Sequence, residues 1–254
     1  RGGATPDEAV AAAYVAAQFE AAGLTHAPGM SGYVQTVPLV RRITGAPTGT
    51  AGGRPLRVLA VLEATGGSAR GRIRVLAGPD ATIRAGDVVA FGGSLQQLQP
   101  LWQKATAVGA AMILLPDTPD IQRIATGRGA SRPRLAEAGP GQKTLIAMLP
   151  AAVLSGLAAG TEIAISVPVV EERLETRNAI GFLPGKDPQA KLVMVSSHLD
   201  HLGVDAQGVV RQGANDNASG TVAVMELARA LAGGKRPRRG ILFVAYGAEE
   251  LGLL

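Results

Sequence analysis

The chain of 254 residues is 46% apolar, 3% aromatic and 18% charged, with a formal net charge of +5 and no cysteine. That length and apolar content support a buried core, in one large domain or two smaller ones, and argue against global disorder. Without cysteine there are no disulfides or thiolate metal sites; no apolar run reaches the length of a membrane span; and the scattered arginines, with no interleaved aromatics, give no nucleic-acid footprint.

Thr5-Pro-Asp-Glu8 has the form of a capping box. The Thr5 hydroxyl can accept from the Glu8 amide, Glu8 can reach back, and Pro6 stands where no amide is needed. Ala11, Val15 and Phe19 then recur at i, i+4, which predicts a helix over residues 6–22 with Gly23 as its left-handed stop. Tyr33 to Val40 reads as a strand.

From residue 45 to 170 the texture changes. Short apolar runs alternate with Gly and Pro: 56–62, 73–76, 87–91, 111–115, 144–148 and 162–167, each read as a strand. A helix is expected over 96–108, with Leu98, Leu101, Trp102 and Ala105 on its core face. The segment contains no histidine and no dense carboxylate cluster, so it is expected to carry no chemistry of its own.

Thr176–Leu183 reads as a strand and Pro184–Pro188 as a turn. The unbroken run at 191–195 and the run at 239–246 read as buried parallel strands. The helix between them is expected over 217–231, with Val222, Met225 and Leu227 facing inward, in an α/β layer. The basic stretch 234–240 reads as a solvated connecting turn.

Two of the three histidines lie in the stretch SSHLDHLGVDAQGVVRQGANDNASG. His198 and Asp200 follow one strand, Asp216 precedes a helix, and Glu249 and Glu250 follow another strand. Ligands of open parallel sheets bind beyond the carboxyl ends of the strands. Three segments thus deliver imidazole and carboxylate to one sheet edge. Adjacent carboxylates repel one another unless a cation lies between them. Nitrogen and oxygen donors without sulfur suit Zn2+, and also Mn2+ or Co2+. Spaced two apart on a strand, His198 and Asp200 share a side, so one can be a ligand and the other can fix its imidazole.

In HLDHLG, GANDNASG and GAEELGLL the chain resembles, in order and spacing, the zinc aminopeptidases of the M28 metallopeptidase family. The likeness extends through NAIGFLPG and the N-terminal helix. Residues 45–170, with AGDVVAF followed by KATAVGAAMILL, resemble the protease-associated (PA) domain inserted in the bacterial branch. The fold this implies is a zinc-exopeptidase-like α/β/α sandwich, incomplete at the C-terminus. Its peptidase parts would be residues 1–44 and 171–254, with the β-rich insert at 45–170.

The resemblance also implies roles. His198 would bind one zinc with Asp200 as its orienting partner, Asp216 would bridge two zincs, and Glu250 would bind the second. Glu249 would be the general base, and a cis peptide bond would follow Asp216. The activity implied is removal of N-terminal residues from a peptide substrate, outside the cytoplasm, in a periplasmic or secreted protein. The family pattern needs a further Asp and His after the Glu249-Glu250 pair, so an N-terminal fragment, inactive alone, is expected. The alternatives are a zinc-free binding ectodomain and a single-zinc cyclase of N-terminal glutamine. His26 and His201 are expected outside the site, Asp205 in a solvent-facing turn, and Asn215 and Asn217 as turn formers.

Overall fold

The computed structural model describes residues 1–63, 67–75, 82–93, 95–127, 133–137, 144–205 and 207–252. Leu76 of the expected strand 73–76, and the final Leu253 and Leu254 of GAEELGLL, lie outside the described residues. In chain order the elements are α1 (Pro6–Ala21), β1 (Val34–Thr44), β2 (Thr48–Ala51), β3 (Arg54–Pro55), β4 (Ala60–Glu63), β5 (Ser68–Val75), β6 (Asp87–Ala90) and α2 (Leu95–Ala107). There follow β7 (Met112–Pro116), α3 (Pro119–Gly127), β8 (Arg134–Leu135), β9 (Leu145–Leu149), α4 (Ala151–Ser155), β10 (Glu162–Ser166), β11 (Val169–Leu183), β12 (Val193–His198), α5 (Ser219–Ala232) and β13 (Ile241–Tyr246). The chain divides into two compact units. Unit 1 comprises Arg1–Val40, Pro133–Ala136 and Arg173–Leu254; unit 2 comprises Arg41–Arg132 and Glu137–Glu172.

Unit 1 carries a mixed five-stranded sheet of order β12-β13-β11-β1-β8. β12 and β13 are parallel, from Val193 opposite Ile241 to His198 opposite Tyr246, and α5 connects them. β11 and β8 pair antiparallel with β13 and β1 respectively. The short β8 comes from a stretch expected to belong wholly to the insert. Ala12, Val15, Ala16 and Phe19 of α1 pack with Val224 and Ala228 of α5 and with Phe243 of β13. The rings of Phe19 and Phe243 are 6.3 Å apart.

The start of α1 departs from a simple capping box. Thr5 Oγ1 accepts from the Glu8 amide at 3.4 Å, as expected. The Glu8 carboxylate, however, accepts from the amide of Ala4 rather than that of Thr5, and it is fully buried. Gly23 ends the helix with φ +79°.

Two expectations about burial are corrected. β12 lies at the edge of the sheet, and its first residues are open, with Met194 64% exposed. An unbroken apolar run does not distinguish a central strand from an edge strand. On α5 the inward residues are Thr221, Val224 and Ala228, with Met225 partly buried, whereas Val222 and Leu227 are exposed. The sequence SGTVAVMELARALA is apolar on several sides, so more than one helical stripe fits it.

Unit 2 contains an eight-stranded sheet of order β3-β2-β10-β5-β6-β7-β9-β4, in which β5, β6, β7 and β9 are parallel neighbours. One core gathers Val88, Met112, Leu114 and Ile163, and another gathers Val89, Ile113, Leu101 and Ala105. Trp102 and Leu98 pack against the second, as the α2 stripe predicts. Each run expected as a strand overlaps one, although Leu56–Leu59 precede β4 rather than join it. The basic stretch after α5 is a turn in which Arg236 donates to the Pro184 carbonyl and Arg238 meets Asp187. Among the described residues, no helix is long and apolar enough to cross a membrane.

Candidate metal centre

Because β12 and β13 run parallel, their carboxyl ends lie side by side. His198 is the last residue of β12, and the Gly247–Glu250 turn leaves the end of β13. Asp216 sits in the Ala214–Ala218 turn that leads into α5, and the Asp216–Asn217 peptide bond is cis. Asn217 Oδ1 accepts from the Gly220 amide at 3.0 Å and so closes the start of α5; a Cβ at Gly220 would collide with that oxygen.

These segments bring the expected side chains together. His198 Nε2 lies 3.2 Å from Asp216 Oδ1 and 4.0 Å from Glu249 Oε2. On the other side of the ring, His198 Nδ1 lies 3.2 Å from the Asp200 carbonyl and 3.5 Å from Asp200 Oδ1. Asp200 is fully buried. Its two carboxylate oxygens accept from the amides of Glu249 and Glu250, each at 3.2 Å. Burial pushes the Asp200 carboxyl above its ordinary range, while those two amides and the His198 ring act in the opposite direction. Asp200 therefore holds both the imidazole and the Glu249-Glu250 turn.

Glu250 is placed differently from Glu249. Its Oε1 lies 2.9 Å from His201 Nδ1. His201, Asp216 and Glu250 form a cluster whose donor atoms all lie within 4.8 Å of one another. His201, expected outside the site, thus stands at its rim. Position alone could have suggested it, since it shares a loop with His198. His26 stands apart, its ring edge-on to Tyr33 at 4.6 Å. Asp205 accepts from the Gln207 and Val209 amides and pairs with Arg211, in the turn expected of it.

Two further residues brace the loops. Arg1 donates to the carbonyls of Leu199, Gln212 and Gly213, tying the His198 loop to the Asp216 loop. Glu8 accepts from Thr176 Oγ1 at 2.7 Å and from the Ala248 amide at 3.1 Å. No local pattern marks either for this role, because the partners are remote in sequence.

The donor set fits a borderline divalent cation. Two imidazoles and the carboxylates of Asp216, Glu249 and Glu250 converge, and no sulfur is present. One imidazole nitrogen of His198 faces the cluster while the other is engaged by Asp200, which is how ligating histidines are held.

Residues 178–254 match the model of peptidase family M28. Over those residues the chain is similar to that family. Curated proteins similar to part of the chain include peptidases. A mouse protein, aminopeptidase NAALADL1, is 36% identical over 104 residues, which is 38% of this chain and 12% of that protein. The leupeptin-inactivating enzyme 1 of Streptomyces exfoliatus is 44% identical over 78 residues, 30% of this chain and 16% of its own. The matched stretches are thus a small part of these curated relatives. The aminopeptidase from Aneurinibacillus sp. strain AM-1 aligns with 99% of this chain and 60% of its own at 18% identity, with a TM-score of 0.47.

Proposed function

We propose that the M28 segment forms the metal-binding and general-base part of a zinc aminopeptidase, which removes residues from the N-terminus of peptides. The observation that carries this reading is the convergence of His198, Asp216, Glu249 and Glu250 from three segments at the ends of two parallel strands. His198 and Asp216 would hold one zinc, and Asp216 and Glu250 a second, with His201 beside Glu250. Zinc bound there supplies Lewis acidity, which lowers the pKa of a water and polarises a substrate carbonyl.

The protein's own residues supply the proton chemistry and the orientation. Glu249, whose Oε2 stands 4.0 Å from His198 Nε2, would accept a proton from the attacking water. A C–O bond forms at the carbonyl carbon and the C–N bond breaks. Glu249 returns the proton to the departing amine. Asp200 fixes the His198 ring and, through two backbone amides, the direction in which Glu249 and Glu250 leave the strand.

Unit 2 would be the PA-like insert, on the resemblance of AGDVVAF and KATAVGAAMILL to that domain. Among the described residues, the cluster of potential metal ligands lies in unit 1. An extracytoplasmic setting follows from the family resemblance alone. The test is hydrolysis of leucine p-nitroanilide by the full-length protein. Activity abolished by chelator, restored by zinc and absent on an N-acetylated substrate is expected. Zinc-independent hydrolysis, or equal cleavage of the blocked substrate, would contradict the reading.

A further inference from the structure

The deepest carboxylate in unit 1 outside the Asp200 position is Glu8, on the first turn of α1. Its side chain is wholly buried, an unusual setting for a residue whose local pattern is that of a helix cap. It accepts three bonds: from the Ala4 amide at 2.9 Å, the Thr176 hydroxyl at 2.7 Å and the Ala248 amide at 3.1 Å. Only the first is local to the helix start.

Ala248 is the residue before Glu249, and it adopts φ +61°, a left-handed conformation uncommon for a residue with a side chain. Three successive amides, those of Ala248, Glu249 and Glu250, therefore donate to two buried carboxylates, Glu8 and Asp200. Gly247 completes the arrangement, because a Cβ there would collide with Glu8 Oε1 and Thr176 Oγ1. A turn that departs from ordinary backbone geometry persists where its surroundings over-determine it. Here the surroundings are two carboxylates, one from the His198 loop and one from the N-terminal helix.

We propose that Glu8 is a positioning residue of the site. Through the Ala248 amide and the Thr176 hydroxyl it sets the turn after β13, and so aims Glu249 toward His198 and Glu250 toward Asp216 and His201. Its consequence for catalysis rests on the zinc-peptidase reading; its consequence for the turn does not. Removing the Glu8 carboxylate leaves the Ala248 amide and the Thr176 hydroxyl without an acceptor in a buried place, so the turn should relax.

The test uses the full-length protein with Glu8→Ala and Glu8→Gln. In the metal-free protein, amide hydrogen exchange is read in a peptide covering 247–250, with one from β7 as the reference. Zinc affinity is read by titration, and kcat and KM on the zinc-loaded protein. For Glu8→Ala the turn should exchange faster while β7 does not, and zinc affinity and kcat should each fall about 10–100-fold with KM unchanged, as for other partners of metal ligands. Glu8→Gln can keep a carbonyl oxygen in the place of Oε1, which accepts both turn bonds, and set its NH2 against the Ala4 amide, so its turn exchange should lie closer to wild type than that of Glu8→Ala.

Wild-type exchange in 247–250 together with wild-type zinc affinity in Glu8→Ala would overturn the proposal. So would a lower melting temperature with kcat per bound zinc unaltered, which is the mark of a purely structural residue. If Glu8→Ala does not fold, wild-type values of turn exchange and zinc affinity in Glu8→Leu, which fills the space without offering an acceptor, overturn it equally. A wild-type protein without chelator-sensitive peptidase activity would sink the proposed function, yet the exchange and zinc readouts would still decide the role of Glu8.

Discussion

His198 Nε2 and Asp216 Oδ1 stand 3.2 Å apart, one at the end of an edge strand and the other in the turn that opens the following helix. The ring is nearly buried while the Asp216 side chain is largely open, so the pair has one shielded face and one accessible face. A cation can enter from the open side and be shared. His198→Ala and Asp216→Ala should each lower the number of zinc ions retained after dialysis, and hydrolysis should drop to the level of the chelated protein. Unchanged zinc content in both variants would remove them from the site.

Asp200 is fully buried. It grips the His198 ring and the amides of Glu249 and Glu250. Asp200→Asn retains one acceptor oxygen but turns an amine toward a backbone donor. Zinc affinity or kcat should fall about 10–100-fold, measured by zinc titration and steady-state kinetics on leucine p-nitroanilide.

The neighbouring glutamates should separate cleanly. Glu249→Gln should lower kcat by about 10²–10⁴-fold and leave zinc content intact. Glu250→Gln should lose zinc. Zinc analysis of the two purified variants checks this, and equal zinc loss in both would contradict the division of roles.

Much of this site was legible because chemistry and strand ends coincide in the sequence. His198 and Glu249-Glu250 follow apolar runs, and Asp216 lies among the small residues before a helix, so their convergence needed only a parallel pair of strands. The cis bond at Asp216–Asn217 came from the family resemblance rather than from spacing. Glu8 was legible only as a cap residue, because its burial depends on Thr176 and Ala248, which no local pattern connects to it. The inward face of α5 was misread because Val222 and Leu227 are as apolar as Val224. The edge position of β12 depends on strand order, which an apolar run does not encode. β2 is Thr-Gly-Thr-Ala, too polar to register as a strand before its partners β10 and β3 are known.

Burial pushes the Glu8 carboxyl above its ordinary value of 4.5, and the charge of Asp200 adds to the push, while its three hydrogen bonds act the other way. A raised folded-state pKa contributes stability that is fully present below the unfolded value and is lost as pH rises through the raised one. Relative to Glu8→Gln, the metal-free wild type should therefore hold its largest margin below about pH 4.5 and lose it toward neutrality. Denaturant unfolding of both proteins across pH checks this, and a margin that grows with pH would contradict it.

The central claim is that His198, Asp216 and Glu250 surround zinc. Anomalous diffraction at the zinc edge from crystals of the zinc-loaded full-length protein tests it most directly. The account predicts anomalous peaks within about 2.0–2.2 Å of His198 Nε2 and of carboxylate oxygens of Asp216 and Glu250. Peaks elsewhere on the protein, with these side chains unligated, would contradict it.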